Sequence, residues 1–229
     1  MMRARHMGVL FIFKFRMLLF LIPVLTVLTG CITGGKGKPE AALPEAPAAG
    51  KPTVTGLAGG QQGFVITEVP RMDEAGRREF EHAIALLNEQ AYDPAADILE
   101  KIIAQSPGVT APYINLAIAY VHKGEPEKAE THLKSALAMV PGHPAASNEY
   151  GLLHRNAGRF TEAREVYETS LAQFPDYYPI HRNLGILCDL YLNDTACALA
   201  HYQICSEARP GDEQVKMWIA DLRNRMRSN

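Results

Sequence analysis

The 229-residue chain has one tryptophan, four cysteines and few aromatics, 8% in all. It has no apolar run long enough to span a bilayer as a helix. The longest, Met17 to Leu28, is about twelve residues and is broken by Pro23 and Thr26, where a spanning helix needs about 20. Basic charge is also in short supply. Four of the 23 basic residues (Arg3, Arg5, Lys14 and Arg16) lie in the first thirty positions, which hold no acid, leaving 19 bases against 25 acids and a net of −6. A mildly acidic chain lacks the positive footprint that nucleic acid requires. Catalytic signatures are missing as well. The eight histidines are scattered, and there is no His-Glu-x-x-His pair, phosphate-binding glycine loop or nucleophile elbow. Gly34-Gly35-Lys36-Gly37-Lys38 lacks both the spacing and the flanking strand of a phosphate loop. No catalytic residue, cofactor, metal or small-molecule substrate is therefore expected.

A basic stretch ending at Arg16, then the short apolar core, then Leu28-Thr29-Gly30-Cys31 follow one another in the order of an export signal. The last four residues resemble the lipobox of bacterial lipoproteins, in which small residues let the peptidase bind the backbone closely. That resemblance implies cleavage before Cys31, acylation of its thiol, and membrane attachment through the lipid. Ile32 stands where an Asp would imply retention at the inner membrane, so the expected location is the outer membrane, facing the periplasm. The region before the apolar core is long for a signal peptide, which leaves Met7 or another downstream Met as an alternative start.

After Cys31 the composition turns to Gly, Pro, Ala and Thr up to about Pro70. Such a stretch buries too little apolar surface to offset its chain entropy, so 31–70 is expected to be a flexible linker. About 40 such residues reach on the order of 35 Å. The exception is Gly63-Phe64-Val65-Ile66-Thr67-Glu68-Val69-Pro70, expected to lie extended against the first helical hairpin, with a docking strand as the alternative.

Pro107, Pro141, Pro175 and Pro210 then recur at intervals of 34, 34 and 35 residues. With each proline at position 32, repeats begin at Gly76, Thr110, Pro144 and Tyr178. Position 8 is small throughout (Ala83, Ala117, Gly151, Gly185), and position 20 is Ala95, Ala129 and Ala163. Position 24 is bulky (Leu99, Leu133, Tyr167), and position 27 is Ile102, Ala136 and Ser170. One extra residue near Asn193-Asp194-Thr195 shifts the fourth repeat to Ala198, Tyr202 and Cys205. The period, these positions and the stretch Asn115 to Ala129 resemble the tetratricopeptide repeat family. The resemblance implies an all-α solenoid of two-helix repeats, at about 76–109, 110–143, 144–177 and 178–212, within a domain spanning 71–229. Val215, Trp218, Ile219, Leu222 and Met226 recur at helical spacing and predict a capping helix at 213–227.

Cys188 falls late in a first helix and Cys197 early in the second, positions that face each other across a helical hairpin. A Cys188–Cys197 disulfide with Cys205 buried and reduced is one reading; three unpaired core cysteines is the other.

The family resemblance implies that first helices line a concave, partner-binding face. Repeat two would contribute Ile114, Ile118, Val121 and His122, repeat three Asn148, Leu152, Arg155 and Asn156, and repeat four Arg182, Ile186 and Asp189. An apolar anchor beside an acidic group on a protein or peptide segment would complement them. The implied role is a non-catalytic interaction scaffold, an adaptor or assembly factor for a cell-envelope complex of the pilus, secretion or energy-coupled transport kind. The alternative is a targeting or regulatory subunit of a cell-wall enzyme.

Overall fold

The computed structural model describes residues 52–56, 64–69 and 71–228. The signal segment, the lipobox with Cys31 and the linker up to Lys51 lie outside the described residues. Among the described residues, two short strands, β1 (Thr53–Gly56) and β2 (Phe64–Thr67), precede nine helices. These are α1 (Glu74–Asn88), α2 (Tyr92–Gln105), α3 (Thr110–Lys123), α4 (Pro126–Met139), α5 (Pro144–Asn156), α6 (Phe160–Leu171), α7 (Tyr178–Leu190), α8 (Thr195–Ala208) and α9 (Glu213–Ser228).

Helices α1 to α8 form four antiparallel hairpins, and α9 packs on α8. Their boundaries follow local chemistry. Proline occupies the first turn of α4, α5 and α7, where its missing N–H costs nothing. Asp73, His143, Asp194 and Asp212 each accept from a backbone N–H one turn into a helix. The periodic prolines stand two to four residues beyond the ends of α2, α4, α6 and α8.

The turn inside each hairpin needs one residue in the left-handed region. Gly124 (φ 76°) and Gly158 (φ 75°) supply it in the middle repeats, while Gln90 (φ 62°) and Asn193 (φ 52°) supply it in the outer two. For a non-glycine residue that conformation costs about 1 kcal/mol, for asparagine less. Gln90→Gly should therefore stabilise the fold by about 0.5–1 kcal/mol and Asn193→Gly by less, as read from urea midpoints. Equal or opposite effects would contradict this ranking.

Burial falls into two clusters. Leu99, Tyr113, Leu116 and Leu133 centre the first. Tyr167, Ile180, Leu184, Tyr202, Val215 and Leu222 centre the second, which joins repeats three and four to α9. α9 contributes Val215, Ile219 and Leu222, with Trp218 packed against them, while Met226 at the end of the expected stripe stays exposed. Each such side chain removed from water is worth about 2 kcal/mol.

The reading of 31–70 as a flexible linker is corrected over its last part. β1 and β2 pair antiparallel, Thr53 opposite Thr67 and Gly56 opposite Phe64. Nor does the apolar patch settle on the first helical hairpin alone. Val54, Phe64 and Ile66 pack on the second cluster, with the Phe64 ring 4.8 Å from that of Tyr177 and 5.2 Å from that of Tyr178. Two strands alone are marginal in water, and this apolar support holds them. Glu68 then reaches the N-terminus of α3. Its carboxylate accepts from the Thr110 hydroxyl at 2.6 and 2.7 Å and from the backbone N–H groups of Thr110 and Ala111. α3 has no side-chain cap of its own, so a residue 42 positions upstream provides it. Burial pushes the Glu68 carboxyl up from its ordinary range, and these hydrogen bonds pull against that.

Candidate partner-binding groove

First helices touch first helices along the array: α1 meets α3, α3 meets α5 and α5 meets α7. Among the described residues, second helices do not meet one another. The hairpins must therefore fan out, with first helices on the inner, concave side. Asn183 donates to the Asn148 side-chain oxygen at 2.8 Å, joining α5 to α7 on that side.

Repeats three and four present the most varied part of this face. Leu152, Arg155, Arg182 and Ile186 are all half-buried, which leaves them reachable but held. The Arg182 guanidinium lies over the Trp218 ring of α9 at 5.2 Å, an arrangement that fixes a cation against an apolar plane. The Nε and Nη1 of Arg155 and the Nε of Arg182 are buried without a hydrogen-bond partner among the described residues. Asn148 also donates to Glu149 at 2.9 Å. Burial pushes the Glu149 carboxyl up from its ordinary value, against that hydrogen bond. The face thus combines fixed guanidinium donors, two aliphatic side chains and an indole, a set suited to a carboxylate next to an apolar side chain.

Repeat two differs from expectation. Ile114 is 5% exposed and belongs to the first core cluster, and Ile118 packs partly into it. His122 stacks face to face on Tyr92 at 4.6 Å, while Lys123 beside it pairs with Asp93 at 2.6 Å. Aromatic stacking and that ion pair tie the end of α3 to the start of α2. In repeat four Asp189 is 9% exposed, held by Arg225 of α9 at 2.5 Å and by the Tyr202 hydroxyl at 3.4 Å. It closes the cap and offers nothing to a partner. The contribution of Trp218 to the groove was not foreseen. Its stripe on α9 announced a cap, but the meeting with Arg182 depends on where that cap docks.

His154 and His181, on neighbouring first helices, find different partners. His154 accepts from Arg159 at 2.7 Å. His181 contacts His201 at 2.8 Å and the Pro175 carbonyl at 2.7 Å. Burial and the neighbouring His181 push His201 down to about 4.

Cys188 and Cys197 are joined by a disulfide across the α7–α8 turn, and Cys205 is free and buried. The only trio of metal-ligating types among the described residues, Cys188, Asp194 and Cys197, contains that bonded pair. Burial pushes the Cys205 thiol up to about 12, which keeps it protonated and inert. Closing a loop of this size is worth about 2–3 kcal/mol. Reduction should lower stability by that amount, and the denatured, unreduced Cys31→Ser chain should titrate one thiol. Three thiols would show that the bridge does not form.

The family model for the tetratricopeptide repeat matches residues 114–178. The chain carries the tetratricopeptide repeat at 114–178, and the four stacked hairpins continue the same fold along the described residues. Among solved structures it resembles one described as a functional characterization of Pseudomonas aeruginosa pilF, with a TM-score of 0.63, 22% identity, and 68% of this chain and 71% of that chain covered. The tetratricopeptide-repeat protein TTC0263 of Thermus thermophilus gives a TM-score of 0.58 at 24% identity, covering 65% and 81%. MamA of Desulfovibrio magneticus RS-1 gives 0.56 at 17%, covering 68% and 88%. These likenesses establish a shared fold. No curated protein matches the sequence significantly. Tetratricopeptide-repeat domains bind other proteins.

Proposed function

We propose that this tetratricopeptide-repeat protein is a non-catalytic, lipid-anchored adaptor that helps assemble a cell-envelope complex, holding one segment of a partner protein in the groove of repeats three and four. The observation that carries the reading is the pair of half-buried arginines. Arg155 and Arg182 hold buried guanidinium nitrogens without partners among the described residues, beside Leu152 and Ile186. Buried donors gain most from a charged acceptor, so the segment would present a carboxylate next to an apolar side chain. Export and acylation at Cys31, inferred from the lipobox, would place this groove at the outer membrane facing the periplasm.

The test is affinity capture from crosslinked envelopes with the full lipidated protein, beside a Leu152→Asp, Arg182→Glu variant. Enrichment of one envelope protein by the wild type and its loss with the variant is the expected result. Equal capture by both would remove the groove from the mechanism. Retention of the Cys31→Ser chain in the membrane fraction would contradict the lipid anchor.

A further inference from the structure

A second surface lies at the other end of the array. A cleft of about 580 Å³ has Val65, Ile66, Thr67 and Glu68 along one wall. Four consecutive residues of β2 and its continuation line it and none of β1 does, so the cleft runs along the edge of β2 that faces away from its partner strand. On a strand, alternate residues aim their N–H and C=O groups at that outer edge. The sheet has two strands, and among the described residues no backbone group bonds to this edge.

Edges left open in this way are usually protected by a charge, a proline, a bulge or a covering element. The four β2 residues, Phe-Val-Ile-Thr, include neither charge nor proline, and Val65 and Val69 are 50% and 65% exposed. The strand is nevertheless held firmly. Phe64 and Ile66 pack on the second core cluster, and Glu68 is bound to the start of α3. The facing wall sets Phe80 of α1 and Val109, ahead of α3, among charged residues. Most charges lining the cleft are already engaged. Glu68 caps α3, Asp73 caps α1 and Glu74 pairs with Arg77. Arg71 is exposed and has no ion pair among the described residues.

We propose that β2 is a docking edge, to which an extended segment of a partner protein adds as a third strand. Main-chain hydrogen bonds to β2 supply the affinity, alternate apolar side chains meet Phe80 and Val109, and an acidic side chain meets Arg71. This mode differs from groove recognition by helix faces and does not depend on the arginine groove of repeats three and four, so either reading can fail alone.

The experiment selects displayed random octapeptides on the full chain, with Val69 replaced by photo-reactive benzoylphenylalanine in one version and Leu152 in another. The expected peptides alternate apolar and polar residues, carry an acid, and crosslink from position 69. Methylating alternate amides of such a peptide should weaken binding on the order of 30-fold, since several hydrogen bonds are lost. Arg71→Glu should weaken it about 3- to 5-fold, and the Leu152→Asp, Arg182→Glu variant should bind it unchanged. The proposal is overturned if selected peptides crosslink only from position 152, or if amide methylation has no effect. It is equally overturned if position 69 crosslinks to a second copy of the chain, or if no peptide binds more tightly than about 1 mM.

Discussion

Gly151→Ala should destabilise the protein by about 3 kcal/mol or more, although it adds a single methyl group to a helix and replaces a poor helix former with the best one. A Cβ at Gly151 would lie 2.1 Å from the Tyr167 ring, and one at Gly185 would lie 2.6 Å from the Tyr202 ring. Both rings are almost fully buried, so neither can swing away without displacing the core. Overpacking of this kind costs about 1–3 kcal/mol and sometimes more, well above the roughly 1 kcal/mol gained in helix propensity. The other two repeats show the compensation. Where position 8 is alanine (Ala83, Ala117), position 24 is leucine (Leu99, Leu133); where it is glycine, position 24 is tyrosine. Gly151→Ala should therefore be rescued by Tyr167→Leu, which recreates the pairing of repeat two. In urea unfolding the double variant should be no less stable than Tyr167→Leu alone, a coupling of about 3 kcal/mol. Additive losses would mean that the close approach of α5 and α6 is not set by this pair.

The second large effect is acid sensitivity above the range of ordinary carboxylates. His143 is 2% exposed, and burial pushes its imidazole down to about 4 from an ordinary 6.5. Its Nδ1 accepts the Ala146 N–H at 3.2 Å at the start of α5, and protonation would remove that acceptor. Because the unfolded chain binds a proton first, the stability that His143 contributes is complete above pH 6.5. It is lost as the pH falls from about 6.5 to 4. A shift of that size corresponds to about 3 kcal/mol. His201 adds a smaller loss over the same window, since burial and His181 hold it at about 4 and it is half-buried. Glu68 and Glu149 work the other way. Their carboxyls are raised by burial, so they take up protons first in the folded state and recover part of the loss. Urea unfolding from neutral pH down to the acid end of that window should show a net fall. His143→Asn, which keeps an acceptor at the cap, should flatten that fall by about half or more. An unchanged slope in the variant would clear His143 of any part in it.

The repeat was legible because it is built from contacts close in sequence. A helix of one repeat meets its neighbour within a few tens of residues, so the same small and large residues return at each turn of the period. α3, α5 and α7 begin at Thr110, Pro144 and Tyr178, the positions at which the 34-residue frame begins its repeats. Cys188 and Cys197 flank a single turn, and two antiparallel helices leave little freedom in what their facing ends can touch. The groove was less legible. Periodicity says which face of a helix looks inward but not which residues on that face are claimed by other elements. Ile114 went to the core, His122 to Tyr92 and Asp189 to Arg225. Each loss came from a partner whose identity the period does not encode.

The sequence by itself determined the helices, their number per repeat and the stripe that closes the array, because these depend on local propensity and on packing between neighbours. Only the tertiary structure decided what the non-repeating parts do. The stretch around Phe64 and Ile66 reads as an extended exception to the linker, but its seat beside Tyr177 and Tyr178, more than a hundred residues away, is decided by the fold. Glu68 becomes the cap of α3, and Trp218 becomes the platform for Arg182. Such contacts join elements distant in the chain, and their energy appears only once the stacked helices have brought those surfaces together.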